Sequence, residues 1–433
     1  MQVSLSSRGA LERRLEVAVP AAEVTQEFEQ RLKKVARSAR LKGFRPGKAP
    51  LPVVRQQFGE QVHAEVIDHL MRSSLAQALR EQNLIPAGGP RIEPIAIAPG
   101  AELKFAAVFE ILPEVQVKSP EGTPLARPSA EVTEADVDAM VESMRRQRAQ
   151  YVPVERSAQT TDRVTVDYTG LMNGTSFEGG DAQDVAVILG DAQNRPELEA
   201  ALTGAAAGET RQVNVTFPAD MSNAALAGKS AELSVTVKRV EAQVLPDVDA
   251  EFCRSFGIED GSLEALRSEV RKSMERELAD LIRARLRTQV LDALYAQNPL
   301  EVPRTLIDEQ VHQMQLDAAR SMGVREASQL PPREPFEAPA RRRAALGLIL
   351  GQIIRAEGLQ PDRQRVEERL EEIAASYPNP QEALAAYRRS EEAMRQIESA
   401  VLEEQVIDWF IARASVTDQP ATFQELTGFG RTA

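Results

Sequence analysis

The hydrophobic period of this chain switches from helical spacing to alternation and back again, and that switch constrains the fold more than any other feature. Between Tyr151 and Val244 apolar residues recur at every second position, as in Val164-Thr165-Val166-Asp167-Tyr168, Arg211-Gln212-Val213-Asn214-Val215-Thr216-Phe217 and Ala231-Glu232-Leu233-Ser234-Val235-Thr236-Val237. Alternation puts one side chain of every two on each face of a pleated strand, so these segments predict antiparallel strands, with one short helix near Glu197–Leu202. From Leu245 the spacing is three to four and predicts helix almost throughout. The stripe Leu263, Leu266, Val270, Met274, Leu278, Leu281 and Leu286 predicts one helix from a Ser262 cap to about Asn298, on the order of 55 Å long. A compact domain needs no helix of that length, which predicts an arm. One core cannot serve both periods, and 433 residues predict two to four domains.

Prolines divide the helical part further. Pro303 opens a helix carrying Leu306, Ile307, Val311 and Met314, while Pro331, Pro332, Pro335 and Pro339 punctuate the approach to an apolar helix around Leu346–Ile354. Helices near Asp362–Ser376 and Gln381–Ala414 complete this part. At the other end, Leu11, Leu15, Val17 and Val19 predict a strand closed by Pro20. Val24, Phe28, Leu32, Val35 and Ala39 predict a helix, and a returning helix with Pro52 in its first turn carries Val62, Val66, Leu70, Leu75 and Leu79. Strands near Arg91–Ile97 and Leu103–Ile111 close a small α+β domain. The stretch after Pro113, with Pro120, Pro124 and Pro128, reads as a linker because proline cannot sit in a central strand. The helix after it, from about Thr133 to Gln150, has Val137, Met140, Val141 and Met144 on one side but no core of its own. It is expected to pack on the helical body. The predicted division is 1–112, 113–150, 151–244 and 245–433.

Charge singles out the turn between the first two helices. From Arg31 to Arg55 the chain carries Arg31, Lys33, Lys34, Arg37, Arg40, Lys42, Arg45, Lys48 and Arg55 with no acidic residue, inside a protein of formal net charge -13. Residues 1–112 hold 16 basic and 12 acidic residues against 36 and 53 in the remainder, so acidity belongs to the rest of the chain. A basic run is commonly a solvated face. Here, however, Pro46 and Pro50 stiffen the loop, Gly43 and Gly47 permit close backbone approach, and Phe44 is an aromatic with no apolar stripe to join. A stiff loop loses little entropy on binding, with Arg45 and Lys48 suited to phosphate and Phe44 to stacking.

The octet Gly43-Phe44-Arg45-Pro46-Gly47-Lys48-Ala49-Pro50 resembles the ribosome-binding signature of the bacterial trigger factor family, GFRxGKxP. Met1-Gln2-Val3-Ser4, Asn83-Leu84-Ile85-Pro86-Ala87-Gly88, Phe177-Glu178-Gly179-Gly180 and Ala250-Glu251-Phe252 with Phe256-Gly257 also match. The resemblance implies a multidomain α+β protein: an N-terminal α+β ribosome-binding domain, an FKBP-like antiparallel β domain with a short helix, and a C-terminal all-α chaperone domain with extended arms. Its implied partners are the ribosome, through exit-tunnel protein and rRNA, and nascent and unfolded polypeptides. It also allows a homodimer off the ribosome. The implied location is the cytoplasm, partly on ribosomes; the lone Cys253, which can form no intramolecular disulfide, agrees with a reducing compartment.

The middle segment resembles FKBP-type prolyl isomerases through Val166-Asp167-Tyr168-Thr169-Gly170, Phe177-Glu178, Ile188-Leu189-Gly190, Leu202-Thr203-Gly204 and Phe217-Pro218. That resemblance places the catalytic pocket on Tyr168, Phe177, Glu178, Val185, Arg195, Leu198, Met221 and Leu233. Rotating an X–Pro amide needs no nucleophile, only an apolar, poorly hydrated cleft that stabilises the twisted amide. Against the family pattern, Leu198, Met221 and Leu233 stand where aromatics are usual, and Arg195 where an apolar residue is, so a depleted pocket with weak catalysis is expected.

Other chemistries find little support. His63, His69 and His312 are the only histidines, and a six-residue separation does not turn the first two toward one metal; all three read as helix-surface residues and no metal is expected. Cys253 reads as a small packing residue, the absence of a GxxxxGK[ST] loop gives no indication of ATP dependence, and no cofactor is expected. No apolar run is long enough to span a membrane, and Arg8, Glu12, Arg13 and Arg14 interrupt any signal-peptide pattern. Met274, Leu316, Met322, Leu346 and Leu350 are of the type that forms core; any that escape burial would supply adaptable client surface. Two rivals stay open: a dedicated prolyl isomerase with substrate-recruiting domains, and an RNA-binding protein resting on the basic loop alone.

Overall fold

A computed structural model describes the chain except residues 40, 42–43, 45–48, 173, 191–193, 218–226, 324–329 and 430–433, and, at 178, the side chain. By contacts the chain forms two units, residues 1–125 with 287–416, and 126–286 with 417–433.

The first unit begins with β1 (Gln2–Ser7), β2 (Glu12–Val19), α1 (Ala21–Ser38), α2 (Leu51–Glu81), β3 (Arg91–Ala96) and β4 (Leu103–Glu110). The strands form an antiparallel sheet in the order β1-β2-β4-β3. Leu15, Val17 and Val19 alternate inward from β2 and meet Phe105 and Ala107 of β4 together with Val24, Leu32, Val62, Val66 and Leu70 from the helices. The alternating and helical patterns thus converge on one aliphatic core, as their periods require. β1 was not anticipated: its residues are mostly exposed, so no alternation betrays it.

β5 (Pro124–Ser129) corrects the linker expectation, since it pairs with a late strand. The bonds from Ser415 N–H to Thr123 O and from Ala421 N–H to Ser129 O face odd-numbered residues toward that partner. Pro124 and Pro128 therefore put their missing N–H groups on the free edge, where proline is tolerated.

The second unit contains α3 (Glu134–Gln147), capped by Thr133 in a reciprocal capping box, then β6 (Gln150–Pro153), β7 (Arg163–Met172), β8 (Thr175–Ile188), α4 (Pro196–Leu202), β9 (Thr210–Thr216) and β10 (Ser230–Val244). The sheet runs β6-β10-β7-β8 with β9 on β10. Its core of Val164, Val166, Val187, Val213, Val215, Val235 and Val237 is closed by Leu202 of α4. α5 (Ala250–Ser255) and α6 (Leu263–Gln297) follow. Val137 of α3 packs with Phe252 and the buried Cys253 of α5 and with Leu266, Val270 and Met274 of α6. Helix α3 thus borrows a core from the helical segment, as its one-sided stripe demanded. Leu263, counted in the α6 stripe, is exposed at the helix start.

The later half of α6 contributes Val290 and Leu294 to the helical core of the first unit. There stand α7 (Arg304–Ser321), α8 (Glu334–Glu357), α9 (Arg363–Ala375), α10 (Pro380–Arg389), α11 (Glu391–Ile411), β11 (Ser415–Pro420), which is the partner of β5 and passes into the second unit, and finally α12 (Phe423–Thr427) of that unit. Two expectations are corrected here. α8 starts well before Leu346 and contains Pro339, because Ala340, Ala344 and Ala345 pack closely on Ile307 and Val311 of α7 and outweigh one hydrogen bond lost near the helix start. The single helix expected over Gln381–Ala414 is broken at Ser390, whose side chain caps α11.

Candidate functional sites

α1 and α2 lie side by side and lead to and from the Gly43–Pro50 loop. Of its residues, Phe44, Ala49 and Pro50 are described; Gly43, Arg45, Pro46, Gly47 and Lys48 lie outside the described residues. Phe44 is 40% exposed, whereas Ala49 packs against the domain core and Pro50 precedes the first turn of α2. The base of the loop is thus anchored while its aromatic faces outward. The basic run is not uniformly free: Arg31 pairs with Glu65 at 3.2 Å and Arg55 with Glu29. Those carboxylates sit outside the run and become neighbours only when the helices meet. Lys33, Lys34 and Arg37 are exposed and, among the described residues, unpaired. His63 departs from the surface expectation, with its ring edge-on to Phe28 and its Nε2 buried without a partner; His69 and His312 are exposed.

The second site grows out of a burial gradient along the β-domain strands. Val164 and Val166 are fully buried on β7, and Tyr168 two positions on is half-buried; Val237 and Val235 are buried on β10, and Leu233 is half-buried. Val185 of β8 and Leu198 of α4 are likewise half-buried against this core. The strands therefore run from a closed core to an apolar mouth. Phe177 enters that mouth because two glycines make room. A Cβ on Gly180 would stand 2.9 Å from the Phe177 carbonyl and 3.0 Å from its ring, and one on Gly170 would meet Leu233 at 2.7 Å.

The structure thus places Tyr168, Val185, Leu198 and Leu233 against one core, with Phe177 and Leu233 both beside Gly170. Arg195 occupies the rim: it precedes α4, donates from its guanidinium to Thr216 O at 2.9 Å and lies 4.9 Å over the Phe217 ring. Met221 and the Glu178 side chain lie outside the described residues. Phe217 was not among the expected pocket residues. It stands edge-on to Phe177 at 6.3 Å and supplies an aromatic wall from the end of β9. The Phe217-Pro218 pair closing an alternating strand was its sequence signal.

Two buried carboxylates hold the strand ends around this core. Asp162 accepts from both terminal guanidinium nitrogens of Arg156, Nη1 and Nη2, and from Gln159 N–H. Burial alone would raise its pKa, but the Arg156 and Gln159 bonds together outweigh it and leave it lowered. The Glu241 carboxyl is lowered chiefly by its 2.8 Å bond from Arg163.

The helical part of the first unit offers apolar surface rather than a reaction centre. Leu346 is buried, as is Met274 in the second unit, Leu316 and Leu350 are half-buried, and Met322 is 71% exposed. Among the described residues no helix is long and apolar enough to cross a membrane, and no group of three or more His, Cys, Asp or Glu side chains is placed to hold a metal.

A valine-cored antiparallel sheet closed by one short helix and opening on an aromatic pair defines an FKBP-type domain, and residues 154–238 match the family model for FKBP-type peptidyl-prolyl cis-trans isomerase. Residues 1–144 match the model for bacterial trigger factor protein, and 262–412 the model for its C-terminus. Trigger factor of Pseudomonas putida is 42% identical over 98% of this chain and 97% of its own length, and that of Azotobacter vinelandii 41% identical over 98% of each. The chain belongs to the trigger factor family. Its fold agrees with a solved structure described as "Promiscuous Substrate Recognition in Folding and Assembly Activities of the Trigger Factor Chaperone", with TM-score 0.53 and 19% identity over 96% of this chain and all of that one.

Proposed function

We propose that this family member is an ATP-independent chaperone of the cytoplasm that docks on the ribosome through the Gly43–Pro50 loop and shields nascent and unfolded polypeptides on its helical part. The observation that carries the docking is Phe44, 40% exposed between two packed helices, with Lys33, Lys34 and Arg37 exposed and, among the described residues, unpaired on the approach. Arg45 and Lys48 would meet rRNA phosphate, and Phe44 an apolar or stacking partner. Working units are 1–112 for docking, 113–150 as a connection that carries β5 and the helix α3 packed on the helical segment, 151–244 for isomerisation and 245–433 for client binding. We assign the isomerase pocket to Tyr168, Phe177, Val185, Leu198 and Leu233 with Arg195 on its rim, Glu178 and Met221 by resemblance, and Phe217 added from its position. Catalysis is weak where Leu198 and Leu233 replace rings.

Removing residues 151–244 behind a short linker tests where clients bind. Arg145 Nε donates to Pro246 O at 2.9 Å, so the chain leaves and returns at neighbouring points and the inserted domain is separable. Light scattering of a denatured, proline-poor client should be suppressed by the shortened protein nearly as well as by the full chain. Loss of protection by a folded deletion variant would transfer client binding to the isomerase domain and favour the dedicated-isomerase reading.

A further inference from the structure

Helix α8 turns two different faces to its surroundings. Ala340, Ala344, Ile349 and Ile353 are buried. Arg343, Gly347, Leu350, Gly351 and Ile354, spaced at helical intervals, line a cleft of about 710 Å³ bounded by α6, α7 and α11. Glycine inside a helix weakens it, yet a Cβ at Gly347 would meet nothing within 4 Å. Packing within the chain therefore does not require glycine there. What the two glycines provide is an open track along which another backbone can approach closely. Beside the track, Gln310 of α7 has its Oε1 buried without a hydrogen-bond partner, an acceptor that lacks an N–H donor.

The charge of this cleft opposes that of the protein. Arg287, Arg342 and Arg343 line it with Glu403 as the one carboxylate, whereas the whole chain carries -13. Arg287 is paired with Glu403 and Arg342 with Asp292, while Arg343 has no ion pair among the described residues. Along α8, Arg343 and Leu350 are about 10 Å apart at 1.5 Å per residue, which about three residues of extended chain span.

We propose that this cleft selects extended polypeptide segments in which an aspartate or glutamate lies about three positions from a large apolar side chain. The apolar side chain sits on Leu350 and Ile354, and the carboxylate meets Arg343. This deepens the chaperone reading and rests on it. It also divides labour on the surface: the acidic remainder of the protein favours basic segments, and this cleft takes acidic ones.

Trp409, the chain's only tryptophan, packs at the margin of the core that Leu350 and Ile354 share and reports binding by its fluorescence. The probes are two unstructured, tryptophan-free peptides with leucine anchors, one with Asp three positions from an anchor and the other with Lys there. At low salt the Asp peptide should bind roughly tenfold tighter. Arg343→Glu should reverse that order, and Gly347→Leu with Gly351→Leu should weaken both peptides roughly tenfold while helix content holds. Equal binding of the two peptides, an unchanged order in Arg343→Glu, or undiminished binding by the filled cleft overturns the inference. If the unaltered chain still prevents aggregation of a denatured client when the peptide preference fails, this inference falls and the chaperone reading stands.

Discussion

As proposed above, the Gly43–Pro50 loop and the isomerase pocket would solve recognition in opposite ways. The loop concentrates its chemistry in eight consecutive residues whose partner lies outside the protein, so its meaning is carried by residue type. The pocket collects Tyr168, Phe177, Leu198, Phe217 and Leu233 from three strands, a helix and the end of a fourth strand, so its meaning is carried by shape. A site of the first kind loses function one side chain at a time without disturbing the fold. A site of the second kind weakens by degrees as its walls are replaced and fails when its backbone is displaced.

The largest effect that could break this contrast is at the loop. Phe44→Ala, Arg45→Ala and Lys48→Ala together should weaken ribosome binding by about a hundredfold or more, since each anchor removed from an interface centre costs about 1–2 kcal/mol. The thermal unfolding profile should not change, because Phe44 is exposed. A variant that binds as the parent does would mean that recognition lies elsewhere on the domain.

At the pocket, Gly170→Ala should cut prolyl isomerisation of a peptide roughly tenfold, because the added methyl collides with Leu233 and Phe177. Conversely, Leu198→Phe with Leu233→Tyr should raise activity several-fold from a low starting rate by restoring apolar walls around the twisted amide. Full family-level activity in the unaltered chain would show that Phe177 and Phe217 suffice.

A smaller effect concerns pH. Asp162 and Glu241 have folded pKa values below their usual ones, so both contribute stability that is complete above the unfolded carboxylate range near pH ~4. That contribution is lost as pH falls through the lower folded values. Hydrogen exchange on β7 should therefore be faster in Asp162→Asn than in the parent at pH 7, with the difference closing toward pH 3. A difference that persists at low pH would assign Asp162 a packing role instead.

The same contrast explains what could be read in the sequence. Helices with a one-sided stripe and strands with strict alternation were legible, because each pattern is local. β5 was hidden because its prolines forbid a central strand but not the outer edge of a two-stranded pair. The start of α8 was hidden because Pro339 is outweighed by alanine packing on α7, which no local window contains. The break at Ser390 looked like continuous helix because its cap residue is also a permitted helix residue. At the sites, the partners of Arg31 and Arg55 and the place of Phe217 depended on which elements became neighbours.

Co-sedimentation of the unaltered chain with ribosomes at about 50 and about 200 mM salt tests the central claim most directly. If Arg45 and Lys48 meet rRNA phosphate, as proposed, those two contacts release counterions and binding should weaken roughly tenfold across that interval. Absence from the ribosome pellet at the lower salt would contradict docking altogether, and binding of equal strength at both would contradict an electrostatic loop contact.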